Sequence, residues 1–531
     1  MRKWAAMLIL LLLIFLFSAC ADETAEPECC TGGDFQYIIL ADGTAEIVGA
    51  SSEAEHLSIP ETLDGIPVTA IGDKAFMTHT SLVSVSIPET VTRIGVCAFY
   101  WCDSLTGVTI PGSVSVIGDR AFSCCSSLSE VILNEGLAEI GDDAFALCFQ
   151  LSSVTIPDTV TRIGDRAFDS CSSLSSITLP DSVTSIGEEA FSRCSSLTLF
   201  VIPDTVTAVG ANPFRYCKRL TNIIVSDSHP TLAVIDGVLF GKADSRLICY
   251  PFTFTAESYQ IPEGVRIIGK NAFSRCLSLS EITIPGSVTE IEDYAFENCQ
   301  ALTGISIPDS VIRIGDWAFS YCGLTSAIIP DSVTDMGINP FAGCANLMEA
   351  VVSENHPTLL TVDGVLFSKT DQVLICYPCG LSAEHYSVPE DVRVIGDYAF
   401  YMCKTLSGVS IPDSVTDIGD SSFSACTALE GIALPGSLTR LGARAFGGCT
   451  SLTAMVIPDG ITEICDSAFS SCRSLSHVTI PASVTGIGSM AFHDHPSTLI
   501  VTVFRGSYPV QYCQEQNLDY AYSDELDWLG I

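Results

Sequence analysis

The chain has 531 residues, with 24 Lys and Arg set against 62 Asp and Glu, for a formal net charge of −38. That balance argues against phosphate-rich partners, because nucleic acid and anionic membrane surfaces are repelled by such a field. Apolar residues make up 47% of the chain, enough for a continuous core, and length alone allows three or four globular domains.

Residues 1–20 read as an export signal. Arg2 and Lys3 form its charged start, Trp4 to Phe17 its apolar run, and Ser18-Ala19 supply small residues before a cut. The run falls short of the about 20 apolar residues of a spanning helix. Phe17-Ser18-Ala19-Cys20 resembles a bacterial lipobox, which implies lipidation of Cys20. Phe17 stands where Leu is usual, which leaves plain secretion open. Residues 21–32, with the pair Cys29-Cys30, read as a short tether that leaves lipid as the only membrane attachment. Residues 33–59 form an N-terminal cap. In it Phe35–Leu40, the Asp42-Gly43 turn and Thr44–Val48 spell a β-hairpin lying across the first coil.

From residue 60 to 498 a 23-residue unit recurs. One copy runs Leu151, Val154, Ile156, Pro157, Val160, Ile163, Gly164, Ala167, Phe168 and Cys171, and its Phe recurs sixteen times, from Phe76 to Phe492. A fixed period of this length marks a solenoid, each unit burying its apolar face against its neighbours. Leu-x-x-Val-x-Ile alternates with the period-2 signal of a half-buried strand, and Pro157 ends it for want of an N–H. Val160–Ile163 is a second short β segment, Gly164 turns the chain, and Asp165–Phe168 fits one helical or 3₁₀ turn. Stacked as parallel strands about 4.8 Å apart, sixteen coils give a rod of about 75 Å.

Two insertions, 226–260 and 353–387, break the period and copy each other at an offset of 127 residues. Asp236-Gly237 and Asp363-Gly364 sit between apolar runs, so each insertion reads as a β-hairpin projecting from the rod. The alternative is a packed clip that stiffens or bends it. Residues 499–531 form the C-terminal cap: a strand from Leu499 to Phe504, a short helix from Tyr508 to Gln516, and an acidic, partly frayed tail.

The pattern Leu-x-x-Leu-x-Leu-Pro-x-x-Val-x-x-Ile-Gly-x-x-Ala-Phe-x-x-Cys, carried from about residue 33 to 531, resembles the treponemal-type leucine-rich repeat of BspA-like bacterial surface proteins. The resemblance implies a right-handed leucine-rich-repeat coil with a parallel β-ladder at the cell surface, and both ends resemble family caps. Some relatives bind host proteins such as fibronectin and fibrinogen, which implies a protein or extracellular-matrix ligand. Fold transfers across such a family; ligand does not.

Fourteen of the 24 cysteines occupy one repeat position, from Cys102 to Cys472. Stacked side chains point in parallel along a rod, so these read as a reduced, buried ladder rather than disulfides. His79 and His495 take that place in the end coils, where it should be wetter. Cys376-Tyr377-Pro378-Cys379 is the one Cys-x-x-Cys, an incidental pair or a local bridge. The rows of Asp after Pro and after Gly read as diffusely screened charge. No His-Glu-x-x-His, Gly-x-Ser-x-Gly or phosphate-binding glycine loop occurs, so neither enzyme activity, cofactor nor metal is expected. The expected function is a surface scaffold for protein binding or adhesion; the alternatives are a self-associating envelope protein and, least supported, an enzyme. Outward strand positions are small, as at Ser153, Thr155, Ser176 and Thr178, whereas hot spots favour Trp, Tyr and Arg. Candidate contacts therefore fall in the insertions, at Tyr250, Phe252, Phe254, Tyr259, Tyr377 and Tyr386.

Overall fold

The computed structural model describes residues 29–50 and 54–523. The leader with Cys20, most of the tether and residues 524–531 lie outside the described residues.

The repeat builds a parallel β-solenoid with two strand ladders. In the first, Val-x-Ile strands pair one coil with the next: Ser153–Thr155 lies beside Ser176–Thr178, with Val154 opposite Ile177. Its outward residues are small and exposed while Val154 and Ile177 face the core, as period-2 alternation demands. In the second, two-residue strands pair at the same 23-residue offset, Arg162–Ile163 with Ser185–Ile186. Proline closes the first ladder in most coils, as at Pro157 and Pro180, because it cannot donate to a neighbour; Asn134, Ser226 and Ser353 stand in its place in three coils.

The segment expected as a helical turn is instead a run of overlapping turns with two left-handed residues. Arg166 has φ 51° and Ser170 φ 61°. This geometry aims alternate N–H groups along the rod: Arg166, Phe168 and Ser170 donate to the carbonyls of Glu188, Ala190 and Ser192 in the next coil. A true helical turn would keep those donors inside its own coil. Gly164, expected to turn the chain, answers a different need, since a Cβ there would stand 2.7 Å from the Asp142 nitrogen and from the Gly141 carbonyl carbon. Coils pass too closely at this corner for any side chain.

Inside, phenylalanines stack from coil to coil. Phe122, Phe145, Phe168 and Phe191 have successive centroid distances of 5.4, 5.5 and 5.6 Å and planes within 10°. The ladder cysteines beside them are buried, and most reach back to the preceding coil: Cys171 Sγ donates to the Phe145 carbonyl at 3.2 Å, Cys426 to Phe400 at 3.0 Å. His79 and His495 are only half-buried, in keeping with their end positions. The Asp row after Gly is built into the backbone rather than diffusely screened. Asp142 Oδ1 accepts the Asp165 N–H at 2.9 Å, as Asp119 Oδ1 accepts that of Asp142. Arg162 adds a 2.8 Å hydrogen bond to Asp142.

One stretch departs from the expected ladder: residues 302–307 form no strand. The next coil has lost a residue, passing from Cys322 to Leu324 through Gly323 alone, and the shortened path brings Gly323 against the Gln300 carbonyl. The pairing resumes at Ser326–Ile328.

At the N-terminus, Phe35–Ile39 and Ala45–Ala50 form the expected hairpin, and Ala45–Ile47 continues the second ladder in parallel with Val68–Ile71. Residues 30–32, expected as the end of a tether, pair with Phe35–Tyr37 as a further strand. At the C-terminus, Ile500–Val503 is followed by the helix Tyr508–Gln516 and a left-handed Asn517. Asp519–Tyr522, expected as part of a frayed tail, pairs in parallel with Ile500–Val503 and covers the last coil.

Candidate functional site

The insertions do not project. Leu232–Ile235, Val238–Gly241 and Arg246–Cys249 form a three-stranded antiparallel meander, whose last strand pairs in parallel with Ile267–Ile268. The second insertion repeats it with Leu359–Val362, Val365–Ser368 and Val373–Cys376. Both faces are buried. Leu232, Leu239, Ile248 and Cys249 pack into the core of the preceding coils, and Val238, Phe240, Leu247 and Tyr250 into that of the following ones. Leu359, Leu366 and Cys376, against Val365, Phe367, Leu374 and Tyr377, divide in the same way. Each meander contains the expected hairpin around its Asp-Gly turn, but the hairpin is packed as a wall shared by two solenoid segments, the clip alternative, rather than projecting. Alternation of apolar residues on both faces is the reason, since a free hairpin would leave one face wet.

This placement revises the candidate contacts. Tyr250 and Tyr377 are 3% and 1% exposed and stand in for Phe at the head of new stacks, 5.0 Å from Phe273 and from Phe400. They belong to the core and are withdrawn as contacts. Half-buried Tyr259 and Tyr386 pack edge-on against them at 4.9 Å. Phe254 covers the Asp236-Gly237 turn, where a Cβ on Gly237 would meet its ring. Phe252, by contrast, lines an open cleft.

The walls are held by a conserved-in-both-copies device of the chain itself, His-Pro-Thr-Leu. His229 Nδ1 accepts the Leu232 N–H at 3.1 Å, and His356 Nδ1 accepts that of Leu359 at 3.1 Å. Burial lowers the pKa of His356 below its ordinary value of 6.5, outweighing the pull of Asp331. The unfolded chain therefore binds this proton more readily, so the stability contribution is full above pH 6.5 and is lost as pH falls through the lowered folded value. The thermal midpoint should fall between pH 7 and pH 5, and less steeply in His356→Asn, whose amide oxygen can still accept from Leu359; equal slopes would refute this role.

Thirteen of the fourteen ladder cysteines are free and buried; the exception is Cys403, which is bonded to Cys379 with a Cα separation of 4.5 Å. The expectation of a wholly reduced ladder fails there, and so does a Cys376–Cys379 pair, because Cys376 is free and buried. Cys379 lies off the ladder position, which lets its sulfur meet that of Cys403 where stacked ladder neighbours cannot. Burial raises the pKa values of Cys171, Cys194 and Cys449, the reverse of what a reactive thiolate needs. Under denaturing alkylation without reductant, thirteen ladder thiols should label and Cys379 and Cys403 should not. Labelling of that pair would contradict the bridge.

Where each wall joins the rod, an irregular surface opens on the turn side of the coils. At the second junction Tyr294, Trp317, Tyr398 and Tyr401 follow one another at 5.0, 4.9 and 5.3 Å, and the Tyr321 and Tyr401 hydroxyls are hydrogen-bonded at 2.7 Å. At the first junction Arg215 ties coils across the wall, 3.0 Å from Glu189 and 2.7 Å from Glu297. Glu297 also accepts from Ser274, and Asn271 Nδ2 donates to Glu189. Desolvation raises the Glu297 pKa, but the Ser274 hydrogen bond and the Arg215 charge outweigh it, so its carboxyl lies below the ordinary value. The sequence does not reveal these clusters, since Tyr321 and Tyr401, 80 residues apart, and Asn271 and Glu189, 82 apart, become neighbours only once the wall is in place.

A stack of parallel coils, each burying a Leu just before its first strand, as at Leu151 and Leu174, defines a leucine-rich-repeat solenoid. A model of the BspA type leucine rich repeat region matches residues 50–174, 138–256, 266–373 and 375–498, and the chain belongs to that family. Among solved structures it is similar to a leucine rich cell surface protein from Faecalibacterium prausnitzii, at 28% identity over 92% of this chain and 98% of that one, with a TM-score of 0.42. It is also similar to a leucine-rich repeat protein from Bacteroides ovatus (24%, 94% and 100%, TM-score 0.31) and to the pneumococcal vaccine antigen PcpA (18%, 94% and 100%, TM-score 0.36). Comparison with curated proteins finds no match.

Proposed function

We propose that this chain is a lipid-anchored cell-surface scaffold that binds a protein ligand at the junctions between its solenoid segments, without catalysis. The observation that carries the reading is the cluster of Tyr294, Trp317, Tyr321, Tyr398 and Tyr401. It gathers residue types that dominate binding energy, whereas the outward strand face offers mainly small residues such as Ser153, Thr155, Ser176 and Thr178. Repeat rods offer long surfaces on which such a cluster is presented rigidly. The lipobox-like Cys20 supports anchoring, and no helix among the described residues is long and apolar enough to cross a membrane. Host matrix proteins and bacterial surface proteins are the partners to try.

The test is capture of partners by the mature chain from host matrix proteins and bacterial surface extracts, repeated with Trp317→Ala and Tyr401→Ala. Loss of a hot-spot aromatic should cost about 2 kcal/mol or more, roughly a thirtyfold drop in affinity. Undiminished capture by both variants would move the contact elsewhere, and a chain that captures only itself would favour the envelope-structure reading.

A further inference from the structure

The first junction carries a feature that protein binding does not require. A cleft of about 560 Å³ opens between the coils on either side of the wall, lined by Arg193, Tyr216, Lys218, Phe252 and Arg275. Its volume lies within the range of small-molecule sites. On a chain of net charge −38, three cations converge here. The guanidinium carbons of Arg193 and Arg275 lie 5.5 and 4.6 Å from the Tyr216 ring centroid, and that of the deeper Arg215 lies 4.4 Å away. Arg215 is neutralised by Glu189 and Glu297, and Arg193 by Asp169 at 3.1 Å. Among the described residues, no carboxylate lies within ion-pair distance of Arg275 or Lys218.

The duplicated block supplies an internal comparison. At the second junction the positions of Arg193, Lys218, Phe252 and Arg275 are held by Tyr321, Ala345, Cys379 and Met402. Its one cation in this frame, Lys404, stands where the first has Leu277. The same wall therefore forms without these cations, so the architecture of a junction does not demand them. At the rim, Gln300 Nε2 donates to Asn298 Oδ1 at 2.9 Å, orienting two amides beside the cations. Phe252 and Tyr216 meet edge to face at 6.4 Å and offer apolar surface next to the charge.

We infer that this cleft binds the terminal acidic sugar of an oligosaccharide. Arg275 and Lys218 meet its anionic group, the Asn298 and Gln300 amides meet hydroxyls, and the aromatic pair meets the C–H face of the ring. A long polyanion is disfavoured because the rest of the chain repels it, whereas a single acid on a neutral glycan meets only the local field. An acidic peptide would satisfy the cations but leave the amides and ring faces without matching hydroxyls and C–H groups. The anion is a carboxylate or a sulfate, and the experiment separates the two. The inference does not rest on the protein-binding reading, and failure of either leaves the other standing.

Titration calorimetry of the full mature chain with 3′-sialyllactose, with a 6-sulfated N-acetylglucosamine, with lactose and with triglutamate is the test. At least one acidic sugar should bind at least about tenfold more tightly than lactose, and whichever does names the anion. The variant Lys218→Ala/Arg275→Met, which installs the residues of the second junction, should bind it at least about tenfold more weakly. Circular dichroism establishes that this variant keeps the wild-type fold. The inference is overturned if neither acidic sugar exceeds lactose, if the folded double variant binds as well as the parent, or if triglutamate binds more tightly than both sugars.

Discussion

Phe168→Ala should destabilise the rod by about 3–5 kcal/mol, among the largest costs for a single side chain in this molecule. The ring is fully buried and stacked on both sides, at 5.5 Å against Phe145 and 5.6 Å against Phe191. Truncation opens a cavity that neither neighbour can fill, because each is held by its own coil partner and by the N–H bonds of the turn ladder. Stability in a solenoid is nearly a sum of units and nearest-neighbour interfaces, so one lost ring weakens two interfaces. The same change at Phe492 should cost less, since its outer neighbour is Tyr512 at 6.3 Å and the last coil already borders the cap. Urea unfolding followed by tyrosine and tryptophan fluorescence reads both. A loss under about 1 kcal/mol at Phe168 would mean that the stack fills space without holding the coils together.

The second large effect concerns the walls. Leu239→Ala and Leu247→Ala should each cost about 2–5 kcal/mol. The two side chains are fully buried on opposite faces of one meander, Leu239 in the core of the preceding coils and Leu247 in that of the following ones. Their damage should therefore be polarised: Leu239→Ala loosens coils before residue 225, and Leu247→Ala loosens coils after residue 260. Being on opposite faces, the two costs should add to within about 0.5 kcal/mol. Projecting hairpins would give a small cost for at least one of the two, confined to the insertion.

The repeat was legible because its period is written many times over: the positions of Val154, Ile163, Gly164 and Phe168 recur at 23-residue spacing, and the Phe is buried at each of its sixteen recurrences. The caps were legible in part. The hairpin around Asp42-Gly43 and the helix Tyr508–Gln516 carry local signals, whereas Cys30–Gly32 and Asp519–Tyr522 become strands only because an unpaired ladder edge lies beside them. The hairpins of the insertions were legible, but their packing as walls rather than projections was not, for a related reason. Asp236-Gly237 correctly marks a tight turn, but Leu239 and Leu247 are apolar on both sides of their strands, a two-faced pattern that signals burial between layers. The role of Asp142 was hidden because a carboxylate that accepts an N–H 23 residues away has the same sequence signature as an exposed one. The first-junction cleft was hidden more deeply: Arg193, Tyr216 and Arg275 look like ordinary substitutions at the variable positions flanking the ladder cysteines, and only the wall brings them together.

Everything proposed about the junctions depends on the meanders being shared walls. Hydrogen–deuterium exchange of the native mature chain, resolved to peptides covering Val238–Gly241 and Val365–Ser368, tests that directly. These amides are paired on both sides and carry fully buried Val238, Leu239, Val365 and Leu366. They should be protected as strongly as the ladder strands Ser153–Thr155 and Gly408–Ser410, opening only with the segments they divide. Exchange within seconds at the two meanders, with the flanking ladders still protected, would contradict the account.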